Sequence, residues 1–326
     1  MSFTPGDPRA PAAALGATRD LPGDPLARPA RGTGTILVTG ATGRLGRVVC
    51  RLLNEAGVAH RALVRAGSDR SGLGRRTWMI DGDLTVARSL SAPLDGVEEV
   101  LHLAGLVRSS DRRALDALHV QGTRALVSAA QEAGVRRIVA VSSDTVLRIQ
   151  RGPYAESKAA MEDVLRDAEV PSVVLRPPMI LGPDSPHLRS MEAMARRRIA
   201  LVPGGTAPRA PVHVEDVARA VLAAREVAAE VVTDGFLALD LPGTESVSFA
   251  DLVRATAAAR GWRRPTVVEV PAEAVQLGAR VARRLPGGGR IADRLAGMQE
   301  HVAPSGAPAR ALLGWSPRAL SDVLSS

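Results

Sequence analysis

The chain is poor in lysine, tyrosine, cysteine and aromatic residues generally. Its 326 residues include one cysteine, one tyrosine, three tryptophans and three phenylalanines, and a single lysine among 42 basic positions. A lone Cys50 excludes an intrachain disulfide and a cysteine-based metal cluster. It falls in a helical pattern and reads as a small core residue. With aromatics at 2%, the core must be built from Ala, Val and Leu. No stretch reaches the ~18 uncharged apolar residues of a membrane span, so no integral membrane segment is expected. The net charge is +8, yet the arginines follow no zinc-finger or RNP-like pattern, and no nucleic-acid partner is expected. Two local clusters, Arg196-Arg197-Arg198 and Arg280 through Arg284, read as solvated faces. Residues 1–33 are rich in Pro, Ala, Gly and Asp and lack the apolar run of a secretory signal. They are expected to form a disordered tail, with the cytoplasm as the default location.

Scarcity gives weight to what is kept. The only tyrosine, Tyr154, and the only lysine, Lys158, are four residues apart. Positions i and i+4 share one helix face, so both side chains can meet one substrate. A phenol ionises near pH 10 when unperturbed, and a nearby ammonium favours the phenolate. The bland alternative is a surface Tyr beside a solvated Lys.

Along the chain, strand-like and helical patterns alternate. Strands are predicted at 35–39, 58–64, 77–80, 97–103, 136–142 and 172–176, and helices at 44–56, 112–133 and 154–168. This alternation predicts an α/β fold, a Rossmann-like doubly wound parallel sheet with helices on both faces. Its expected span is 34–176. Residues 177–326 are expected to form a smaller C-terminal α/β part that binds substrate, with 211–241 returning to the first domain. There a helix is predicted at 215–228, a strand at 236–241 and a helix at 248–260. An amphipathic basic helix at 272–285 reads as a lid over a substrate cleft, with a membrane-surface helix as the alternative.

The first strand runs into Gly40-Ala-Thr-Gly43-Arg-Leu-Gly46. Three glycines between a strand and a helix suit a bound pyrophosphate. One permits the tight turn, one lets backbone approach the phosphates, and one lets helix pack on sheet. The helix N-terminus adds unpaired N–H groups and partial positive charge. About 20 residues on, an acid would hold the adenosine ribose, whereas an arginine suits a 2′-phosphate. The chain has Leu63-Val64-Arg65 there and no acid before Asp69. Arg65, with Arg44 assisting, favours NADP over NAD.

Thr39-Gly-Ala-Thr-Gly-Arg-Leu-Gly46 together with Tyr154-x-x-x-Lys158 resembles the extended short-chain dehydrogenase/reductases, relatives of NAD-dependent sugar epimerase/dehydratases, dihydroflavonol reductases and 3β-hydroxysteroid dehydrogenases. Further segments match in order. Gly82-Asp83-Leu84 looks like the adenine-contacting turn. His102-Leu103-Ala104-Gly105 looks like the motif on the fourth strand beside the cofactor, and Gly122-Thr123 like the helix motif that follows. Val139 to Ser143 resembles the strand ending in the catalytic serine. Leu175 to Pro183, with Pro177 and Ile180, looks like the segment passing the nicotinamide. Val212 to Ala218 and Leu313 to Pro317 resemble late signatures.

The resemblance implies roles. Tyr154 is the general acid/base on the substrate oxygen. Lys158 holds the nicotinamide ribose and lowers the Tyr154 pKa. Ser143 hydrogen-bonds the substrate oxygen, with Ser142 as a competing assignment. Gly40, Thr42, Gly43, Arg44, Leu45, Gly46, Arg65, Asp83, Leu84, Leu103, Ala104, Gly105, Ser142, Tyr154, Lys158, Pro177 and Ile180 are expected to line the cofactor. No metal is expected. Pro153 suits the first turn of a helix, whose dipole also favours a phenolate.

Two departures stand out. Where relatives usually carry Asn, three residues before Gly122-Thr123, this chain has His119, which either hydrogen-bonds in its place or is an ordinary helix residue. Only ten residues separate Ser143 from Tyr154, a short loop that tilts the expectation toward a reductase. The expected activity is hydride transfer between NADP(H) and a small-molecule ketone or secondary alcohol. The alternative is an NAD-dependent sugar-nucleotide epimerase or dehydratase, with Arg189 or Arg209 at a diphosphate. A non-enzymatic cofactor sensor would not need the Tyr/Lys pair. His60, His102, His187, His213 and His301 read as satisfied structural histidines, and Asp216 as a capping-turn acid. A homodimer is left open.

Overall fold

The computed structural model describes residues 35–271 except 108, 110, 150, 205 and 206, then 273, 274, 277 and 304–325. The expected tail at 1–33, the Arg280–Arg284 cluster, His301 and nearly all of the expected 272–285 helix lie outside the described residues.

The first half alternates as its sequence pattern dictates. Strand β1 (Ile36–Thr39) is buried at every position, as an apolar β-branched run must be at the centre of a sheet. Helix α1 (Arg44–Glu55) follows it, then β2 (His60–Val64), β3 (Thr77–Asp81), the short α2 (Ser91–Leu94) and β4 (Glu99–His102). Next come the short α3 (Arg112–Leu115) and a wider π-helical stretch, Asp116–Gln121. Then follow α4 (Gly122–Glu132), β5 (Arg137–Val141), α5 (Pro153–Arg166) and β6 (Ser172–Arg176).

The second half adds β7 (Ile180–Leu181), α6 (Pro186–Ala195), β8 (Ile199–Pro203), β9 (Val212–His213), α7 (Val214–Ala223), β10 (Phe236–Asp240), α8 (Phe249–Ala259) and β11 (Thr266–Val270). The described chain closes with α9 (Ala307–Leu313) and α10 (Leu320–Ser325).

Seven strands form one sheet in the order β10-β6-β5-β4-β1-β2-β3, and every pairing is parallel. One apolar layer joins α1 and α7 to the sheet through Val49, Leu53, Val217 and Val221. A second joins α4 and α5 to it through Leu126, Ala130, Met161 and Leu165. Aliphatic packing on both faces explains how the chain manages with so few aromatics. Chain order reverses between β1 and β4. The crevice outside the C-terminal ends of those strands is where such sheets bind ligands.

Beyond the main sheet, β7 pairs with β9, and β8 with β11, both in parallel. Helices α6, α8 and α10 pack together through Leu188, Met191, Leu252 and Val323. The late Leu313–Pro317 signature is an anchor. Gly314 ends α9 at φ 63°, a left-handed conformation that a glycine adopts without penalty. Trp315 is buried and its Nε1 donates to the Pro242 carbonyl at 2.9 Å. Asp216, in the first turn of α7, accepts from Arg318 N and Nε, both at 3.0 Å. Its task is to fasten the C-terminal segment, which goes beyond the capping turn expected of it.

Candidate active site

The Gly40–Gly46 turn leaves β1 at the switch point. Gly40 has φ +67°, and a Cβ there would sit 2.6 Å from the Ala104 nitrogen. A Cβ on Gly46 would come within 2.2 Å of the Gly40 carbonyl oxygen. These two positions therefore tolerate glycine alone. Gly43 is exposed at the N-cap of α1, with no side-chain cap and no acid in the helix's first turn. The N-terminus of α1 therefore presents its partial positive charge to an anion. A dinucleotide pyrophosphate fits this cradle.

At the end of β2, Arg65 is exposed, and no acid of the described chain pairs with it. Asp69 is turned to Arg47 at 2.9 Å. In the Gly82–Leu84 turn, Asp83 Oδ1 accepts from Thr85 N and Oγ1, and the Leu84 side chain is buried in the core. Those two side chains serve the turn, so it offers a nucleotide mainly backbone. Leu103 and Ala104 are half-buried and Gly105 is exposed beyond β4. Pro177 is buried, and its carbonyl accepts from Asp144 N at 3.1 Å. Ile180 sits in β7, paired with Val212.

Ser143, Tyr154 and Lys158 come together from β5 and α5. Pro153 starts α5, which sets Tyr154 in its first turn. Ser143 Oγ donates to Asp144 Oδ1 at 3.2 Å and acts on the Tyr154 phenol so as to favour its ionised form. Ser142 Oγ is buried with no partner among the described residues. Lys158 is 3% exposed, and its Nζ donates to the Val141 carbonyl at 2.9 Å. A Cβ built on Gly105 would lie 3.5 Å from Nζ, so the loop after β4 passes directly over the ammonium.

The electrostatics correct one expectation. Burial first, then the Asp144 carboxylate, push the Tyr154 phenol up to about 12, while Ser143 pulls the other way. Lys158 does not lower it in this state. The lysine is itself dragged down to about 8 by burial, with Glu162 opposing. Glu162, one turn further along α5, is committed to Arg176, which donates Nε to Oε1 at 3.0 Å and Nη2 to Oε2 at 2.5 Å. The ammonium therefore sits among dipoles, short of a carboxylate of its own.

His119 settles its two alternatives. It is fully buried in the π-helical stretch, where the extra residue per turn re-aims side chains. Leu106 N donates to its Nε2 at 2.9 Å. Nδ1 must then carry the proton and donate to Ser157 Oγ at 2.8 Å. Ser157 in turn donates to the Tyr154 carbonyl at 2.8 Å. The ring meets Tyr154 edge-on, with centroids 5.9 Å apart. His119 thus ties the loop after β4 to the start of α5. His102 performs a parallel task, joining Thr39 Oγ1 at 2.8 Å and Thr123 Oγ1 at 3.0 Å. The Gly122-Thr123 motif is its partner. His213 departs from the satisfied pattern, because its Nε2 is buried without a partner among the described residues.

Burial, reinforced by the Lys158 charge, lowers both His102 and His119 to about 3. Above pH 6.5 each is neutral whether the chain is folded or not. Below it the unfolded chain takes up protons that the folded chain refuses, so stability falls with pH down to about 3. Each histidine is expected to contribute about 1.4 kcal/mol per pH unit over that window. Urea melts of His119→Asn against wild type should show a shallower acid decline for the variant.

Two further groups lie near the site: Asp144, which the sequence pattern offered no reason to expect there, and Arg209, one of the two arginines named for a diphosphate. Asp144 is half-buried beside Ser143, and desolvation holds its carboxyl above the usual range. Arg209 feels Asp144 and Arg148, and its Nε is buried with no hydrogen-bond partner among the described residues. Arg189, its rival in sequence, is exposed and turned to Asp184.

Fold and site together define a dinucleotide-fold protein of the short-chain dehydrogenase/reductase class. The model of the NAD dependent epimerase/dehydratase family matches residues 36–235, and the chain belongs to that family. It is 34% identical over 197 residues to "Ceramide reductase" of Caulobacter vibrioides (strain NA1000 / CB15N), covering 58% of this chain and 60% of that protein. It is 31% identical over 219 residues to "4-hydroxy-2-methyl-3-oxo-4-farnesyl-3,4-dihydroquinoline-1-oxide ketoreductase" of Stigmatella aurantiaca, covering 58% and 64%. The chain thus spans under two thirds of the length of either relative. Among solved structures, the crystal structure of gox2253 superposes with TM-score 0.75 at 28% identity, covering 90% of this chain and 96% of that one.

Proposed function

We propose that the protein is an NADPH-dependent reductase that converts a ketone on a largely apolar molecule into a secondary alcohol. The observation that carries this reading is the convergence of Ser143, Tyr154 and Lys158 at the switch point, beside a glycine cradle fit for a pyrophosphate. The bound nicotinamide supplies the hydride. Tyr154 delivers a proton from its phenol to the carbonyl oxygen. Ser143, whose hydroxyl acts on that phenol, steadies the oxygen as charge builds on it. A phenol held near 12 keeps its proton at neutral pH, which suits a group whose first task is to give one. Lys158 holds the nicotinamide ribose and compensates the phenolate left behind. Two relatives whose names specify a reductase and a ketoreductase support this direction.

NADPH is preferred because Arg65 stands exposed at the end of β2, with no ion pair among the described residues, where an acid would have favoured the unphosphorylated ribose. Arg65→Asp should raise the Kd for NADPH at least about tenfold while leaving NADH nearly unchanged. Fluorescence titration of both cofactors checks this.

A second reading, a sugar-nucleotide epimerase, is favoured by Arg209, a half-buried cation beside the site whose buried Nε has no partner among the described residues. Incubation with NADPH and a panel of ketones, beside a panel of nucleotide sugars, separates the two. Net NADPH loss with a ketone supports reduction. Sugar isomerisation without net cofactor change would replace it.

A further inference from the structure

The small parallel sheet β8–β11 has one covered face and one bare one. Ala200 and Val202 pack against Ala250, Val253 and Ala257 of α8. On the opposite face, Ile199 is 57% exposed, Leu201 64% and Val268 44%. The register sets Leu201 beside Val268 and Pro203 beside Val270, so the bare face is a contiguous aliphatic strip. A sheet face is normally buried on something, and clustered exposed aliphatics mark contact sites.

Charge completes the surface. Because the strands are parallel, both enter from the same end, and each is preceded there by arginines: Arg196, Arg197 and Arg198 before β8, Arg263 and Arg264 before β11. Thr266 N donates to the Arg198 carbonyl at 2.9 Å, which joins the two groups. All five are exposed, and none makes an ion pair among the described residues. Arg196 stacks on Trp262 at 4.5 Å, covering that ring. The nearest acids are occupied or off the strip: Asp251 by Arg254 and Ser248, Glu192 by Arg260, while Glu269 alternates to the other face. The arginines that the sequence alone suggested were a solvated face are one end of an amphipathic surface.

We propose that this surface docks on an anionic phospholipid bilayer. The arginines sit among lipid phosphates, and Ile199, Leu201 and Val268 enter the headgroup–acyl boundary. A nucleic acid would use the cations yet gain nothing from the aliphatic strip, and the one nearby aromatic face is taken by Arg196. Docking would give an apolar molecule a short path from membrane to enzyme, but it is read without turnover and stands independently of the proposed reaction.

The test is cosedimentation of the full chain with vesicles of phosphatidylcholine alone and of equal phosphatidylcholine and phosphatidylglycerol. Anionic vesicles should bind on the order of tenfold or more tightly, with affinity falling as salt rises. Arg197→Glu with Arg264→Glu should abolish that preference. Leu201→Ser, at an exposed position that leaves the fold intact, should weaken binding several-fold in low and high salt alike. Equal binding to both vesicles, no binding to either, or binding that all three substitutions leave unchanged would overturn the proposal. So would a dimer that Leu201→Ser dissolves in the absence of vesicle binding, or RNA binding that the arginine variant loses and Leu201→Ser does not.

Discussion

Tyr154→Phe lowers turnover by about a hundred- to ten-thousandfold and leaves cofactor affinity nearly unchanged, if the proposed reaction is right. Phenylalanine keeps the ring that meets His119 edge-on and the helix turn begun by Pro153. It removes only the hydroxyl, and with it the proton that the carbonyl oxygen requires. General acid catalysis by one positioned side chain is worth about that much. Ser143 keeps its bonds to Asp144 and Thr145. The stability cost should therefore stay near about 1 kcal/mol. Stopped-flow or steady-state kinetics beside a cofactor titration separates loss of chemistry from loss of binding.

Lys158→Met is expected to strengthen the fold while abolishing activity. The ammonium is buried, and its pKa has been drawn from 10.5 down to about 8. A lysine lowered on folding costs stability wherever both states are protonated, here below pH 8, and the cost lifts as pH rises from 8 toward 10.5. At neutral pH that cost is roughly 3 kcal/mol, by the free energy per pKa unit. The lost bond to the Val141 carbonyl returns about 1 kcal/mol of it. A methionine of similar length should thus raise stability by about 2 kcal/mol at pH 7 and by less at higher pH. Turnover should fall steeply, because the proposed reaction gives Lys158 both the ribose and the phenolate's counter-charge. Strain kept at one residue for the sake of chemistry is a pattern of functional sites. Denaturant melts at two pH values, with activity beside them, measure both halves.

Much of the candidate site could be read in advance because its signals are local. A strand running into three spaced glycines, and a Tyr and Lys one helical turn apart, place themselves with no knowledge of distant contacts. The seven-strand sheet followed from alternation in the same way. What escaped depends on partners far apart in the chain. The Tyr154 pKa moved against expectation because burial and Asp144 outweigh the lysine, and neither burial nor the reach of Asp144 is visible in spacing. His119 could be named as a departure, but its bonds to Leu106 and Ser157 needed the π-helical turn that re-aims it. The single expected helix at 112–133 divides at that turn. Strands β8 and β11 lie more than sixty residues apart in sequence. Neither alone carries a sign that the two pair, or that their arginines gather at one end.

The most direct test of the central claim is a stoichiometry: NADPH oxidised per alcohol formed, with the purified protein and a panel of apolar ketones. Reduction by Tyr154 and its partners predicts one NADPH consumed for each alcohol, with no consumption by Tyr154→Phe. Unchanged NADPH beside steady interconversion of a nucleotide sugar, or full activity in Tyr154→Phe, would contradict it.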